Sequence, residues 1–361
     1  MKSNRMKIFF LAAIALTAAS NPCNACTGIT LKNKQGNTVV ARTIEWGGSN
    51  LNSQYVIVPR QHKAQSLTPE GTNGLRFTAR YGYVGLAVEM KEFIAEGVNE
   101  AGLSAGLFYF PQYGQYEAYQ PAQKAQSLAD LQLVPYILGE CATLEEVKFA
   151  VEHIHIINID PRASTVHWRF ADAQGRQLVL EILNGKPCFY DNPLGVLTNS
   201  PGFEWQMTNL NNYVNLFPGT ASAQELNGLF LRSFGAGSGF LGLPGDVTPP
   251  SRFVRAAFYQ STAPIQENIL NTVLQSFQIL TNFDIPIGIE FPLNKIPVNI
   301  PSATQWTSAT DLTHRIIYYR TMYNSTIRCI DLNTIDFNKV KYQAAPLDKE
   351  KQTPIETIII E

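Results

Sequence analysis

Strand-like and helix-like runs divide this chain into blocks, and the order of those blocks restricts its fold more than any other feature. Runs rich in β-branched and aromatic residues fill the first third, at residues 26–31, 38–43, 54–58, 83–89 and 97–110. The first two are joined by a polar stretch with Gly36 in it, which reads as a hairpin. Helical spacing follows at 128–138 and 144–153. The second of these is preceded by Thr143 with Glu146 three residues on, the pattern in which two side chains cap a first turn. Strand character returns at 164–171 and 178–183. A loop-rich stretch over 192–250 precedes two further helices, at 252–261 and 265–280, and the chain ends in strands at 305–311, 315–320 and 326–331. Single βαβ units would alternate one strand with one helix. Blocks of strands alternating with pairs of helices instead predict an α+β fold, two antiparallel sheets with helices packed outside them.

Residues 1–25 read as a removable export leader. Lys2, Arg5 and Lys7 precede an apolar run over 8–18, and small residues lead up to Ala25, a segment too short and wrongly flanked for a spanning helix. The expected location is therefore periplasmic or secreted. From 26 to 361 no Pro/Gly/Ser tract, block of like charge or repeat interrupts the chain, so a single domain is expected. A composition that is 45% hydrophobic can supply its core. The whole chain carries a net charge of −1, and loss of the three leader cations makes it more acidic. That balance argues against nucleic acid as a partner, and no second segment is long and apolar enough for stable membrane insertion.

The five cysteines are Cys23, Cys26, Cys141, Cys188 and Cys329. They are too widely spaced for a disulfide-stapled module, and Cys141, Cys188 and Cys329 are expected to be buried and reduced. Cys26 is different. A cut that removes the leader would make it the first residue, with a thiol and a free α-amine on one carbon. The thiol is a nucleophile, and an α-amine with a pKa of about 7.7–8 is a base near neutrality, so one residue would hold two parts of an amide hydrolase. Three other readings compete, the plainest being a leftover residue of the leader. The pair Cys23-Asn24-Ala25-Cys26 as a metal or redox motif wants a second ligand pair that the sequence lacks. A lipidated cysteine wants leucine three places upstream, where Cys23 stands.

A longer pattern includes Cys26. Cys26-Thr27-Gly28, Arg42-Thr43-Ile44-Glu45-Trp46, Gly97-Val98-Asn99-Glu100-Ala101-Gly102-Leu103, Leu197-Thr198-Asn199-Ser200-Pro201, Gly242-Leu243-Pro244-Gly245-Asp246 and Ser251-Arg252-Phe253 occur in order. The series ends in the run Tyr318-Tyr319-Arg320. The chain thereby resembles the choloylglycine hydrolase family of penicillin V acylases and bile salt hydrolases, and within it the Gram-negative penicillin V acylase-like branch. The resemblance implies a four-layer αββα sandwich, the N-terminal nucleophile hydrolase fold, and hydrolysis of a linear non-peptide amide without cofactor or metal. It also implies a small-molecule amide as the partner, with penicillin V, long-chain N-acyl homoserine lactones and bile salts as candidates, and a homotetramer as a common assembly. An inert acyl-binding module on the same fold, or a lipoprotein, is the alternative.

The same resemblance assigns roles. Cys26 is the nucleophile. Arg42 lies beside it, where a fixed guanidinium favours thiolate and can hold a polar group of the substrate. Glu45 stands where the family usually has aspartate, binding the α-amine with one methylene more of reach. Trp46 walls the acyl pocket. Tyr109 and Asn199 match the oxyanion-hole positions, the first being tyrosine in penicillin V acylases and asparagine in many bile salt hydrolases. Arg252 matches a second active-site arginine, and Arg255, one turn on, is expected at the surface. Three features are set aside. The spelling Gly237-x-Gly239-x-x-Gly242 opens no helix, since Pro244 follows, and is expected to be a loop. His153, His155 and His167 lack further ligands nearby and are expected to be structural. Asn324-Ser325-Thr326 spells a glycosylation sequon, which matters only in a host that modifies it.

Overall fold

The structure, a computed structural model, describes residues 24–159 and 164–360. Most of the expected leader, Cys23 included, lies outside the described residues. In chain order the main strands are β1 (Asn24–Lys32), β2 (Thr38–Trp46), β3 (Gln54–Val58), β4 (Tyr83–Ala87), β5 (Ile94–Asn99), β6 (Ser104–Tyr109), β7 (Val166–Ala171), β8 (Gln177–Leu183), β9 (Lys186–Asp191), β10 (Thr304–Asp311), β11 (Ile316–Thr321), β12 (Arg328–Asp331) and β13 (Gln343–Pro346). The α-helices are α1 (Leu133–Glu140), α2 (Leu144–Glu152), α3 (Phe203–Asn209), α4 (Pro249–Thr262) and α5 (Ile269–Thr281).

Among the described residues the main strands build two antiparallel sheets. One has the order β1-β2-β10-β11-β12 and the other β9-β8-β7-β6-β5-β4-β3-β13. Helices α4 and α5 cover the outer face of the first, α1 that of the second, and β1 lies against β6 where the sheets face each other. The result is the expected αββα layering. Because helices or a second sheet cover both faces, the central strands are buried on both sides: all of β10 and all but the last residue of β2 are inaccessible. The β1–β2 hairpin turns at Gly36, whose φ of +83° favours glycine. No helix of the described residues is long and apolar enough to cross a membrane.

Several boundaries differ from the sequence reading. The run 97–110 is not one strand: Gly102, at φ +85°, turns it into the hairpin of β5 and β6. In 128–138 the first residues form a short strand, Ser127–Ala129, paired in parallel with His155–Ile157, and the helix begins only at Leu133. Thr143 caps α2 by accepting the Glu146 N–H at 3.1 Å, but the Glu146 carboxylate reaches back to the N–H of Ala142. The stretch 192–250 holds α3 and a small hairpin, Gln224–Leu226 with Leu229–Leu231. Strands β9 and β13 escaped the reading because both lie at sheet edges, where little of the side-chain pattern is buried. Their position also corrects the cysteine expectation. All of Cys26, Cys141, Cys188 and Cys329 are unpaired thiols, but only Cys141 of the last three is buried. Cys188 on β9 is half-buried and Cys329 on β12 is exposed, since an edge strand lacks a neighbour on one side.

Candidate active site

The site is built where β1 and β2 meet β6 across the sheet interface. Cys26 pairs with Ile44 in the ladder, and two residues on Gly28 pairs with Arg42. The Cys26 thiol is buried, 4% exposed, and the Arg42 Nη2 donates to its Sγ at 2.8 Å. The guanidinium is fixed on every side. Its Nε donates to the Thr43 carbonyl at 3.2 Å and its Nη1 to the carbonyls of Ala95 at 3.1 Å and Leu107 at 2.5 Å. The Phe108 ring lies under it, 4.1 Å from the ring centroid. Arg42 is fully buried, so the expected hold on a polar group of the substrate is not seen; its donors face the protein and the thiol. Gly28 makes this arrangement possible. A Cβ there would stand 2.9 Å from both an Arg169 nitrogen and the Phe108 ring.

Asn199 arrives from the other side, on the segment after β9. Its neighbour Leu197 joins Gly28 through a reciprocal pair of backbone hydrogen bonds. Asn199 Oδ1 accepts the Cys26 N–H at 2.9 Å, and its Nδ2 donates to the Tyr109 carbonyl at 2.7 Å. Tyr109 enters by its backbone: its N–H donates to the Cys26 sulfur. Its phenol instead bonds Ser164 Oγ at 2.7 Å. Arg252, from the first turn of α4, closes the ring. Its Nη1 donates to the Cys26 carbonyl at 2.6 Å and to Thr27 Oγ1 at 2.9 Å, its Nη2 to Asn199 Oδ1 at 2.7 Å, and its Nε to the Val247 carbonyl at 2.9 Å. Pro249 and Pro250 open the helix at positions where a missing N–H costs nothing, which fixes where Arg252 emerges.

Glu45 is also here, buried to 1% exposure. Its Oε1 is the acceptor of a long contact, 3.5 Å, from Thr304 Oγ1, and its Oε2 is buried with no hydrogen-bond partner among the described residues. Burial lifts its carboxyl to about 8, against the opposing pull of Arg252. The Cys26 thiol is likewise pushed up by burial, and Arg42, the Tyr109 N–H and Arg252 pull it back. The chain passes straight through Cys26: Ala25 pairs with Glu45 in the ladder and packs with Ile285 and Ala303. The Cys26 nitrogen is thus a peptide N–H standing where an α-amine would form. Trp46, at the end of β2, is partly buried and donates its Nε1–H to Ser49 Oγ at 2.9 Å.

The other five candidate catalytic residues therefore gather around Cys26. The sequence reading missed the charges behind them. Arg169 donates to Glu96 Oε1 at 3.0 Å, and Glu96 Oε2 lies 3.7 Å from Arg42, all three buried. Arg255 is a correction: it is buried and donates to the carbonyls of Pro244 and Asp246, fastening the loop before α4. Only charged residues inside otherwise strand-like runs could have signalled Glu96 and Arg169. The glycine run 237–242 is a loop with a short 3₁₀ turn, at a distance in sequence from the start of α4. Among the described residues no cluster suits a metal ion.

A family model described as linear amide C–N hydrolases, choloylglycine hydrolase family, matches residues 26–344. A bile salt hydrolase/transferase of Clostridium perfringens is 31% identical over 324 residues, 88% of this chain and 95% of its own length. Another, of Lactiplantibacillus plantarum, is 30% identical over 333 residues, 91% and 98%. The solved conjugated bile acid hydrolase of Clostridium perfringens matches with a TM-score of 0.80 at 28% identity, over 92% of this chain and 100% of that one. The penicillin V acylase of Agrobacterium tumefaciens shares the fold, with a TM-score of 0.71 at 24% identity over 88% and 90%. Layering and site together define an amidohydrolase on the N-terminal nucleophile hydrolase fold. The chain belongs to the choloylglycine hydrolase family of linear amide C–N hydrolases.

Proposed function

We propose that this hydrolase, cut before Cys26 on export, cleaves the amide of an N-acylated small molecule through a thioester. The observation that carries the reading is the convergence on Cys26 of two guanidinium groups, one backbone N–H and one side-chain carboxamide. Two further facts support it. The family match begins at Cys26. Two solved Clostridium perfringens variants, in which a cysteine and an arginine were replaced, differ at positions 16 apart, the separation of Cys26 and Arg42.

In this mechanism the Cys26 α-amine takes the thiol proton, and the thiolate attacks the amide carbonyl. The Tyr109 N–H and the second Nδ2 hydrogen of Asn199 receive the oxyanion, the first already bonding Tyr109's own carbonyl. The ammonium then gives its proton to the leaving nitrogen as the C–N bond breaks. Water, deprotonated by the amine, attacks the thioester and restores the thiol. Glu45 Oε2, without a partner in the uncut chain, gains one in the new ammonium.

The substrate classes to be compared are penicillin V, long-chain N-acyl homoserine lactones and bile-acid amides. Tyr109 and the run Arg42–Trp46 favour the first two; the names of the relatives favour the third. Mass spectrometry of all three after incubation with the cut wild type and with Cys26→Ala tests the reading. Cleavage by wild type alone is expected, and wild type with a free Cys26 that cleaves none of them would count against it. For the expected self-association, the hairpin 224–231 offers exposed Leu226, Leu229 and Phe230 as a surface. Light scattering should give a multimer for wild type and a smaller species for Phe230→Glu; equal masses would remove the hairpin from the assembly.

A further inference from the structure

His167 lies on β7, paired in register with Phe108 next to Tyr109 on β6. It is fully buried, its ring stacked on Phe110 at 4.3 Å and 6°. Its two nitrogens face two oxygens: Nε2 lies 3.0 Å from the Thr198 carbonyl and Nδ1 3.2 Å from Glu181 Oε1. A carbonyl only accepts, so Nε2 carries a hydrogen. Nδ1 and Glu181 Oε1 share the second hydrogen bond.

Glu181 has a second task. Its Oε1 also accepts the N–H of Phe203 at 2.8 Å, in the first turn of α3. The pair therefore holds both ends of the segment 198–203, and Asn199 lies within it. The Thr198 carbonyl belongs to the peptide plane that ends at the Asn199 Cα, so holding that oxygen holds the N–Cα bond from which the Asn199 side chain departs and restrains its direction. Asn199 must place Oδ1 on the Cys26 nitrogen and Nδ2 on Tyr109 at the same time. Gly202 is part of the same fit, since a Cβ there would stand 3.1 Å from Glu181 Oε2.

We propose that His167 and Glu181 are positioning residues for Asn199, which they act on through the backbone of 198–203 without touching the nucleophile or a substrate. The proposal rests on the reading of Asn199 as an oxyanion donor. Loss of the Thr198 tether should therefore slow attack on the amide while leaving the thiol as reactive as before.

The test compares His167→Phe, which keeps the stack on Phe110, and His167→Gln, whose amide nitrogen can occupy the Nε2 position, with wild type. Each is assayed for kcat and KM on whichever of the three amides wild type cleaves, and rates are normalised to the Cys26 that iodoacetamide can alkylate. His167→Phe is expected to lose kcat by about 10²-fold, the usual scale for a slightly misplaced catalytic group. KM and the alkylation rate should stay within about twofold, and His167→Gln should recover most of kcat. An unchanged kcat in His167→Phe, or alkylation falling together with kcat, would overturn the proposal. If His167→Phe does not fold, His167→Asn, which can reach only Glu181, takes its place, and equal rates in the Asn and Gln variants would overturn it. A wild type that alkylates but cleaves nothing indicts the functional reading instead. The tether is then read by whether His167→Phe, unlike His167→Gln, loses hydrogen-exchange protection at 197–203; unchanged protection would refute it.

Discussion

Arg42 and Cys26 sit on neighbouring strands, two ladder positions apart, with the guanidinium nitrogen 2.8 Å from the sulfur and every other side of it held by backbone oxygens and an aromatic face. A cation so fixed stabilises thiolate against the burial that disfavours it. Arg42→Lys keeps the charge but cannot span the Thr43, Ala95 and Leu107 carbonyls and the sulfur together. Alkylation of Cys26 at neutral pH should slow at least tenfold. A rate equal to wild type would separate the arginine from thiol activation.

The amine-as-base mechanism makes the cut itself a catalytic event. A chain that retains Ala25 has the same thiol, the same Arg42 and the same Asn199, but only a peptide nitrogen at Cys26. A general base contributes about 10²–10⁴ in rate, so kcat should fall by that factor. Intact mass to establish the N-terminus and a hydrolysis assay suffice, and full activity with Ala25 in place would end the amine's role.

Burial raises the Glu45 carboxyl from 4.5 to about 8 in the uncut chain. Between those values the folded state holds a proton that the unfolded state has released. Stability from this group is therefore complete below about pH 4.5 and falls as pH rises toward 8. Glu45→Gln removes that titration. In chains retaining residues 24 and 25, it should melt with wild type at pH 4 and above it at pH 8, and the gap should narrow once the cut supplies an ammonium. A gap that is constant with pH would contradict this account.

Arg252 serves three acceptors of the site from one guanidinium: the Cys26 carbonyl, Thr27 Oγ1 and Asn199 Oδ1. Arg252→Lys leaves at least one of them buried and unmet, at about 1–3 kcal/mol each. The melting temperature should drop by several degrees, and kcat by more than the folded fraction accounts for. Calorimetry alongside titration of alkylatable Cys26 separates the two, and a variant with wild-type kcat per titrated thiol would make Arg252 a purely structural residue.

The sequence by itself determined the layers and singled out Cys26. Block order is a local property repeated many times, so it survives errors at single boundaries such as 97–110, where one glycine at positive φ divided the run. Cys26 was legible because a cysteine at an expected leader junction has few other uses, and Arg42, Glu45, Tyr109, Asn199 and Arg252 were legible through their ordered resemblance to a family. Only the tertiary structure decided how those residues act. Tyr109 reads as an aromatic in a strand, yet its backbone, not its phenol, meets the sulfur, because β6 passes behind β1. Arg255 and His167 have the spellings of surface and filler residues. They are buried because α4 turns Arg255 back onto carbonyls of the loop that leads into it, and β7 sets His167 against the Thr198 carbonyl, 31 residues on. Such bonds end on backbone carbonyls that every residue possesses, so no acceptor's identity announces them, and they exist only once the chain has folded.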